Sequence, residues 1–496
     1  MYLIGYDIGS SSIKAALVDV EKNITLKVAQ HPETEMDIMA QQAGWAEQHP
    51  EEWWKNLCLA TKKLLVETNV EPSSIKAIGI SYQMHGLVVV DKDQKVLRPS
   101  IIWCDSRAVE IGNQALADLG KETCFKHSLN GPGNFTASKL KWVKENEPQV
   151  FDKIDKFMLP GDYVAMKMTG ETQSTMSGLS EGVMWDFMEN KPADFLLDYY
   201  GIDENKIPEI APTLSIQGVL TANAANELGL KKGTPVSYRA GDQPNNAMSL
   251  GVIEPGEIAA TGGTSGVVYG VVDKNIYDTQ SRVNTFAHVN HTKSDPRLGV
   301  LLCINGAGIQ YSWVKQQFAS DGMTYDEMED ILSAVNVGSD GLRITPFGNG
   351  AERIFGNKNI GSHIFNLHFN RHQKAHFYRA SLEGIAFSFV YGIEVLKELG
   401  LSVDVIKVGN DNLFRSPVFS NTIAALVNAN IEVIETTGAV GAARAAGVGA
   451  SIYQDLKEAT GKLKTIKTYE NVGTNASYQD AYQAWLRDVK KLLEDY

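Results

Sequence analysis

Two segments of the chain share one pattern: an apolar strand, a turn rich in glycine and hydroxyl groups, and a second apolar strand. The first segment covers residues 2–20 and turns at Gly9-Ser10-Ser11. The second covers residues 257–273 and turns at Gly263-Thr264-Ser265. A repeated unit of this kind indicates a duplicated architecture. We therefore expect two lobes, each opening with such a hairpin.

The remainder of the chain alternates between patterns typical of helices and of strands. Apolar residues recur at helical spacing over six segments, which are 50–68, 138–145, 307–320, 374–398, 416–428 and 478–494. Short strand patterns occur at 77–81 and 86–90. This alternation predicts an α/β fold. We place the boundary between an N-terminal lobe at residues 1–248 and a C-terminal lobe at residues 249–496, where Gly251, Pro255 and Gly256 cluster.

Composition excludes several classes of function. The 496 residues carry 46 basic and 59 acidic side chains, a net charge of -13, which disfavours nucleic acids and anionic membranes as partners. There is no apolar run long enough for a membrane span, no basic leader before an apolar run, and no CxxC pair among four cysteines. We therefore expect a cytoplasmic protein that holds any phosphorylated ligand by local features.

Asp7 ends the first strand and lies beside the first turn. Backbone N–H groups at a glycine turn can approach phosphate oxygens, and Ser10 and Ser11 add hydroxyl donors. The Asp7 carboxylate can hold Mg²⁺ directly or through water, and Lys14 adds positive charge. A simple hairpin with an aspartate in its turn is the alternative. The second hairpin favours function, because two facing hairpins can bind one triphosphate from both sides.

Asp242 follows Gly241 and precedes Gln243 and Pro244. A carboxylate at this point can accept the proton of a substrate hydroxyl during phosphoryl transfer, chiefly by orienting that hydroxyl. An aspartate that caps the following helix fits the same spacing. The pattern alone leaves both interpretations open.

Two further segments carry candidate contacts for a small polar substrate. Met84 and His85 follow an apolar strand, where His85 can point into a cleft; a histidine buried in the core is the alternative. Trp103 lies next to Asp105 and Arg107, which combines an aromatic ring with an acid and a base. A structural ion pair between Asp105 and Arg107 is the alternative there.

Taken in order, these motifs resemble the FGGY carbohydrate kinase family over nearly the whole chain. The matching segments are Asp7–Lys14, Gly44–Gln48 with Pro50 and Trp53-Trp54, Gln83–Gly86, Arg98–Trp103, Asp105–Arg107, Phe135–Trp142, Thr169–Glu171, Gly241-Asp242, Thr261–Gly266, Pro346-Phe347, Glu352-Arg353 and Leu382–Ala386. Each motif alone is weak evidence for the family, but the order and spacing of all of them make the resemblance specific. Gln83–Gly86 is most similar to members that phosphorylate D-xylulose.

The resemblance implies an actin-like ATPase fold, with two ribonuclease-H-like lobes around a central cleft. It implies an ATP- and Mg²⁺-dependent kinase that acts on a small sugar and forms no complex with nucleic acid or membrane; it also leaves room for a homodimer. Asp242 would be the catalytic base, and Asp7 would assist catalysis and hold the metal. The sugar contacts would be Met84, His85, Trp103, Asp242 and Gln243. The nucleotide contacts would be Gly9, Ser10, Ser11, Lys14, Gly263, Thr264, Ser265, Gly409, Asn410 and Asn412.

Three positions depart from the family pattern, one of them the segment after Gly170, which reads Glu-Thr-Gln-Ser-Thr where Thr-Asp-x-Ser is usual. Gln243 stands where an asparagine is frequent, and Gly409-Asn-Asp-Asn412 stands where three glycines are usual. The expected reaction is the conversion of D-xylulose to D-xylulose 5-phosphate. The alternatives within the family are ribulokinase, gluconokinase and heptulose kinase activities. Outside that class, the alternatives are a non-catalytic sugar-sensing regulator and an actin-like or chaperone-like ATPase that needs no sugar.

Overall fold

A computed structural model describes residues 1–471, 473 and 476–495 and shows a mixed α/β fold. Its strands, in chain order, are β1 Tyr2–Ile8, β2 Ile13–Asp19, β3 Ile24–His31, β4 Glu47–Gln48, β5 Ile75–Tyr82, β6 Val88–Val90, β7 Ser100–Ile101, β8 Lys156–Met158, β9 Gln173–Thr175, β10 Trp185–Asp186, β11 Lys191–Pro192, β12 Glu209–Ala211, β13 Val236–Gly241, β14 Ile258–Gly262, β15 Gly266–Val272, β16 Asn284–Ala287, β17 Leu298–Ile304, β18 Arg343–Ile344, β19 Ile364–Phe365, β20 Val405–Gly409, β21 Asn430–Ile434 and β22 Thr465–Tyr469.

The helices include all six that the sequence predicted, with ends shifted by a few residues at most. In chain order they are α1 Pro50–Thr68, α2 Val109–Leu119, α3 Lys121–Ser128, α4 Thr136–Asn146, α5 Pro148–Phe151, α6 Pro160–Thr169, α7 Met176–Glu181, α8 Asp194–Tyr200, α9 Ala222–Leu228, α10 Asp242–Ser249, α11 Gly308–Phe318, α12 Tyr325–Ser333, α13 Lys374–Glu398, α14 Pro417–Val427, α15 Gly438–Gly449, α16 Leu456–Thr460 and α17 Ala476–Glu494. Single-turn 3₁₀ helices lie at Pro72–Ser74, Glu204–Lys206, Ser339–Gly341, Arg353–Phe355 and Asn412–Arg415.

Two large sheets form the centres of two lobes. The first has the strand order β13-β5-β1-β2-β3, and the second has the order β16-β17-β15-β14-β20-β21-β22. In each sheet the opening strand pairs antiparallel with the next strand and parallel with a later one: β1 with β2 and β5, and β14 with β15 and β20. The duplicated architecture expected from the two hairpins is therefore present, and it has the topology of an actin-like fold.

Helix α15 joins the two halves of the chain. Although it comes late in the sequence, it packs on β1, β5 and β13 of the first sheet and on α10. Side chains at Gly5 and Gly79 would collide with it, because a Cβ at either position would lie 2.0 Å from a carbonyl oxygen of α15. The alanines and glycines of α15 meet these glycines, so that helix and sheet approach closely. The beginnings of α10 and α15 thereby lie side by side at the cleft.

The tail helix α17 buries the stripe that its sequence pattern marked. Tyr482, Trp485 and Val489 are buried in the core of the second lobe, and the Trp485 indole N–H donates to the Ile344 carbonyl at 3.1 Å. Core packing therefore accounts for the stripe. In the part of the chain that the structure describes, no helix has both the length and the apolar character that crossing a membrane requires.

Candidate active site

The first hairpin places Asp7 and Lys14 directly opposite each other. They are register partners in the β1–β2 pair, and the Gly9 N–H closes the turn by donating to the Ser12 carbonyl at 3.1 Å. The Ser81 hydroxyl donates to Asp7 at 3.2 Å. Burial raises the pKa of Asp7, while Lys14 and the Ser81 bond oppose the rise. The strand ends thus place an acid and a base at the cleft, as the sequence predicted.

Residues outside the first hairpin hold its turn in place through hydrogen bonds. The Ser10 carbonyl accepts a bond from the Gln48 side chain at 2.7 Å, and the Ser11 carbonyl accepts one from the Met36 N–H at 2.8 Å. Trp103 is half exposed, and its indole N–H donates to the Ser10 hydroxyl at 3.4 Å. Trp103 therefore lies beside the first hairpin, where it can contact both the turn and a ligand next to it.

The second hairpin has a different set of contacts. The N–H groups of Gly308 and Ile309, at the start of α11, donate to the carbonyls of Gly263 and Thr264 at 3.0 and 3.1 Å. A cavity of about 580 Å³ opens beside this turn. Its lining includes Gly263, Thr264, Tyr311, Glu329, Asn412, Ser416 and Pro417. The cavity has the size expected for a nucleoside and borders the expected phosphate position.

The segment from Gly409 to Asn412 meets this cavity only at its end. Gly409 is the last residue of β20, and Asn412 begins a single-turn helix. The side chain of Asn412 approaches Gly263. Asp411 lies between them, and the pKa of its carboxyl is raised by burial and drawn down by Lys14. Lys14 of the first lobe therefore faces Asp411 of the second. Roles for Gly409, Asn410 and Ser265 in nucleotide binding remain predictions, since these residues lie outside the described lining of the cavity.

Asp242 begins helix α10 directly after β13. Gly241 occupies the capping position, so Asp242 does not serve as the N-cap residue that the alternative interpretation required. Burial and the neighbouring Asp7 carboxylate raise its pKa to about 7, against hydrogen bonds from the backbone and side chain of Gln243. The structure therefore brings Asp242, Gln243 and Asp7 together at the end of the first sheet. A carboxylate with a pKa near neutrality is suited to accept a proton from a hydroxyl.

His85 adopts an unusual backbone conformation beside Asp242. Its φ angle is 61°, in the left-handed region that few non-glycine residues enter. The Nδ1–H donates to the Glu181 carbonyl oxygen at 2.9 Å, and burial together with Lys139 and Arg353 lowers the pKa of the ring to about 3. The imidazole is therefore neutral, and Nε2 is left as an acceptor for a substrate hydroxyl.

Met84 packs on the same strand ends. It is buried, and a Cβ at Gly241 would lie 2.6 Å from its Cγ. Met84 therefore fills the space beneath Gly241 and forms an apolar floor next to Asp242. The Met84-His85 pair and Asp242, which lie far apart in the sequence, are brought together here.

Asp105 and Arg107 are structural, as the alternative interpretation held. Their side chains are buried and form an ion pair at 2.7 Å, and Arg107 stacks on Trp45 with 3.8 Å between the guanidinium carbon and the ring centroid. A second ion pair joins Arg107 to Glu47 at 2.7 Å. This network supports the loop that carries Trp103.

Sequence reasoning assigned no role to several residues that the structure places at the site. Phe286 of the second lobe lies 5.4 Å from His85 and 5.8 Å from Phe135 between ring centroids. The positive charge of Arg353 lowers the pKa of both His85 and Cys303. Burial lowers the pKa of the Arg353 guanidinium itself. The Asp242 carboxylate in turn raises the pKa of the Cys303 thiol. Phe286, Cys303 and Arg353 thus belong to the second lobe's side of the cleft.

The loop that carries Arg353 is anchored by its neighbour. The Glu352 carboxylate accepts the N–H groups of Asn305 and Gly306, each at 3.0 Å. The sequence signal for these two residues was the Glu352-Arg353 motif, to which no chemistry had been attached. Their position became evident only once β17 and this loop were placed against the first lobe.

The acidic residues at the site fit a nucleotide-bound magnesium ion. Asp7 is close enough to Asp242 that its carboxylate disfavours charge on Asp242 and raises the pKa of that group, an effect that a divalent cation would relieve. Among the residues described, no three His, Cys, Asp or Glu side chains converge into a metal cage. Two neighbouring carboxylates fit Mg²⁺, which is commonly held by one or two carboxylates, water and substrate phosphates.

Comparison with known proteins identifies the class. Residues 2–249 match the N-terminal domain of the FGGY family of carbohydrate kinases, and residues 258–450 match its C-terminal domain. The chain belongs to the FGGY family of carbohydrate kinases. The resemblance inferred from the motifs is thus confirmed.

Individual relatives match this chain over nine-tenths or more of its length. The chain is 30% identical over 473 residues to a xylulose kinase of Bacillus subtilis strain 168, covering 92% of this chain and 90% of that protein. A xyloylose kinase from Brucella ovis superposes with a TM-score of 0.88 at 27% identity, covering 99% of both chains. A gluconate kinase from Lactobacillus acidophilus reaches the same TM-score at 21% identity, covering 100% of this chain and 99% of the other. The fold alone therefore does not select the sugar.

Proposed function

We propose that this protein catalyses the ATP-dependent phosphorylation of D-xylulose to D-xylulose 5-phosphate. Asp242 carries the proposal: a cleft carboxylate with a pKa of about 7, adjoining Asp7 and the sugar-facing residues Met84 and His85. Kinship with proteins named xylulose kinase, at 30% identity over 473 residues in one case, supports this choice of sugar.

The terminal hydroxyl of the sugar would lie against Asp242. Its oxygen attacks the γ-phosphorus, the bond from that phosphorus to the bridging oxygen of ADP breaks, and the proton passes to the Asp242 carboxylate. Because the transition state for phosphoryl transfer is loose, Asp242 acts mainly by orienting the hydroxyl. The amide of Gln243, which donates to Asp242, keeps that carboxylate in position.

The other hydroxyls would be bound by the first lobe. The neutral His85 ring offers Nε2 as an acceptor, while Met84 and Phe286 supply apolar surfaces against the carbon skeleton. Trp103 covers the side nearest the first hairpin. The Arg353 guanidinium, for which no hydrogen bond or ion pair is found among the described residues, can donate to a sugar or phosphoryl oxygen from the second lobe.

The nucleotide would span both hairpins. Backbone N–H groups at Ser10-Ser11 and Gly263–Ser265 would face the phosphates, Lys14 would add charge, and the nucleoside would occupy the cavity lined by Tyr311, Asn412 and Pro417. Asp7 would hold Mg²⁺, and bound Mg²⁺ supplies charge neutralisation of the triphosphate. Closure of the lobes would exclude water, which protects the γ-phosphate from hydrolysis.

A coupled ADP-release assay over ketoses, aldoses, polyols and aldonates tests this function. We expect turnover with D-xylulose, and a loss of about 100- to 10,000-fold in kcat for Asp242→Asn with the KM for ATP little changed. Turnover only with another sugar, such as ribulose, gluconate or a heptulose, would retain the kinase and overturn the choice of sugar. ATP hydrolysis that ignores every sugar would contradict the kinase assignment itself.

Three further assignments are also proposals. We place the lobe boundary at residues 248 and 249, the protein in the cytoplasm and the chain in a homodimer, all on the strength of the sequence and the family resemblance. Light scattering coupled to size-exclusion chromatography tests the dimer, and a mass equal to one chain of 54.3 kDa would contradict it.

A further inference from the structure

We propose that Glu181 and Lys139 are positioning residues that together preset the sugar-binding surface by holding its three separate segments in register. These segments are Met84-His85, Ile102-Trp103 and Gly241-Asp242. The inference rests on the function proposed above, because it concerns how that same site recognises its sugar.

Glu181 joins the first of these segments to the third. It ends helix α7 with a side chain that is 1% exposed. Its Oε2 accepts the His85 N–H at 3.1 Å and lies 3.6 Å from Nδ1 of the ring, while its main-chain oxygen accepts Nδ1–H at 2.9 Å. A Cβ at Gly241 would lie 3.2 and 3.3 Å from the two carboxyl oxygens. Glu181 therefore contacts both His85 and the residue before the catalytic base.

Lys139 joins the first segment to the second. It lies on α4 and is fully buried, at 0% exposure. Its ammonium group donates to the His85 carbonyl at 2.8 Å and to the Ile102 carbonyl at 3.0 Å, directly before Trp103. The backbone of His85 is thereby bound on both sides, by an acceptor at its N–H and a donor at its carbonyl.

This double attachment explains the left-handed backbone of His85. A side chain with a Cβ pays a steric cost at a φ of 61°, so the surroundings must hold it there. The two hydrogen bonds to buried ionisable groups do so, and the ring packs edge-on against Phe135 at 4.8 Å. Freed of either partner, His85 would relax toward an extended or helical conformation and move its ring away from the sugar.

Burial of these two groups is costly, which argues against an incidental arrangement. Desolvation raises the pKa of Glu181 well above its ordinary value and lowers that of Lys139 to about 7. A hydrogen bond from the Tyr82 side chain lowers the pKa of Glu181 and offsets only part of this cost. An apolar residue of similar size would stabilise such a core position equally well or better, but it could not hold His85.

Three variants test the proposal by steady-state kinetics and sugar-binding calorimetry. Glu181→Leu removes the acceptor at constant volume, Glu181→Gln retains an oxygen that can accept the His85 N–H, and Lys139→Met removes the donor. Glu383→Gln is the matched control, since Glu383 is an equally buried acid paired with Arg379 at 2.7 Å in α13. Each melting temperature is measured alongside.

We expect Glu181→Leu and Lys139→Met to lower kcat/KM for the sugar by about 100-fold, mostly through KM, with the KM for ATP within about twofold of wild type. Glu181→Gln recovers most of the loss, and Glu383→Gln behaves as wild type. Unchanged sugar affinity in a folded Glu181→Leu or Lys139→Met protein overturns the proposal. Equal losses in sugar binding, ATP binding and melting temperature also overturn it, because both residues would then be merely structural.

The design separates this proposal from the choice of sugar. If wild type turns over a sugar other than D-xylulose, the same variants are measured with that sugar, and the prediction is unchanged. If Glu181→Leu fails to fold, Lys139→Met together with Glu181→Gln decides the question by the same criteria. A folded Glu181→Gln protein as impaired as Lys139→Met would overturn the role given to Glu181, because the glutamine oxygen still accepts the His85 N–H.

Discussion

The two hairpins share a topology but differ in chemistry. In the first, the second strand pair from the turn is Asp7 opposite Lys14, which places two ionisable side chains near the turn. In the second, the equivalent pair is Thr261 opposite Val267, and the turn is bonded through its carbonyls to α11. The second turn is also one residue shorter, with three residues between the paired strands instead of four.

This difference indicates that the two hairpins, although they share one topology, have different roles. Under the proposed function, the first hairpin, which lies beside Asp242, would supply charge to the reacting phosphate, whereas the second would present backbone groups beside the cavity proposed for the nucleoside. Substitutions in the first should therefore act on kcat, and those in the second on nucleotide affinity. Four measurements test this contrast, beginning with the largest expected effect.

Replacing Asp7 should have the largest effect. We expect Asp7→Asn to lower kcat about 100-fold, because the carboxylate that would hold the metal is lost while the shape is kept. Thr261→Val, at the equivalent place in the second hairpin, should change kcat less than about threefold. Steady-state kinetics at varied Mg²⁺ compares the two; a loss of equal size in both variants would remove the distinction between the hairpins.

Replacing Lys14 should come next. Lys14→Met keeps the aliphatic stem and removes a charge that faces both Asp7 and Asp411. We expect kcat to fall about 10- to 30-fold, since one cation near a transferring phosphoryl group contributes about 2 kcal/mol. Val267→Thr serves as the control at the equivalent position. A Lys14→Met enzyme with normal kcat and a raised KM for ATP would show that Lys14 contributes to ATP binding and not to the chemical step.

The pH dependence should report Asp242. The carboxylate must be deprotonated to accept a proton, so kcat/KM for the sugar should fall as pH drops through about 7. Between pH 8 and pH 6 the decrease should be about tenfold. Because Asp7 raises the pKa of Asp242, the acidic limb should move to lower pH in Asp7→Asn and stay in place in Thr261→Val. An unmoved limb in Asp7→Asn would contradict the coupling.

The smallest effect concerns stability. The pKa of Asp242 is higher in the folded protein than in the unfolded chain, so folding is penalised as pH rises from about 4 to above 7. Asp242→Asn removes this penalty and should raise the free energy of unfolding by about 2 kcal/mol at pH 8, the carboxyl being partly open to the cleft. The gain should disappear near pH 4. Denaturant unfolding at both pH values measures it, and a gain independent of pH would have another origin.

Much of the fold was predictable from local pattern. The two hairpins, helix α1 and the long helix α13 follow from apolar periodicity and turn residues, which act over a few neighbouring positions. Asp7, Lys14 and Asp242 were likewise marked by their places at strand ends. The glycine- and alanine-rich segment that forms α15 gave no comparable signal, because its small residues matter only through the sheet glycines that they meet.

The site was predicted less completely than the fold. Glu181 is the only charged residue between residues 172 and 185, which is a weak signal that could have marked it as buried. Lys139 lay within a recognised motif without an assigned role. Arg353 and Phe286 come from the other half of the chain, and no spacing in the sequence relates them to His85.

By itself, the sequence determined the two hairpins, the class of fold and the acidic residues at the strand ends, because turns and periodicity depend on adjacent residues. Only the tertiary structure decided that Asp242 lies beside Asp7, that Asp105 and Arg107 form a structural pair, and that His85 is held between Glu181 and Lys139. These features depend on burial and on contacts between distant segments. Burial sets the pKa of a carboxyl group and the cost of an unpaired charge, and it arises only once the chain has folded.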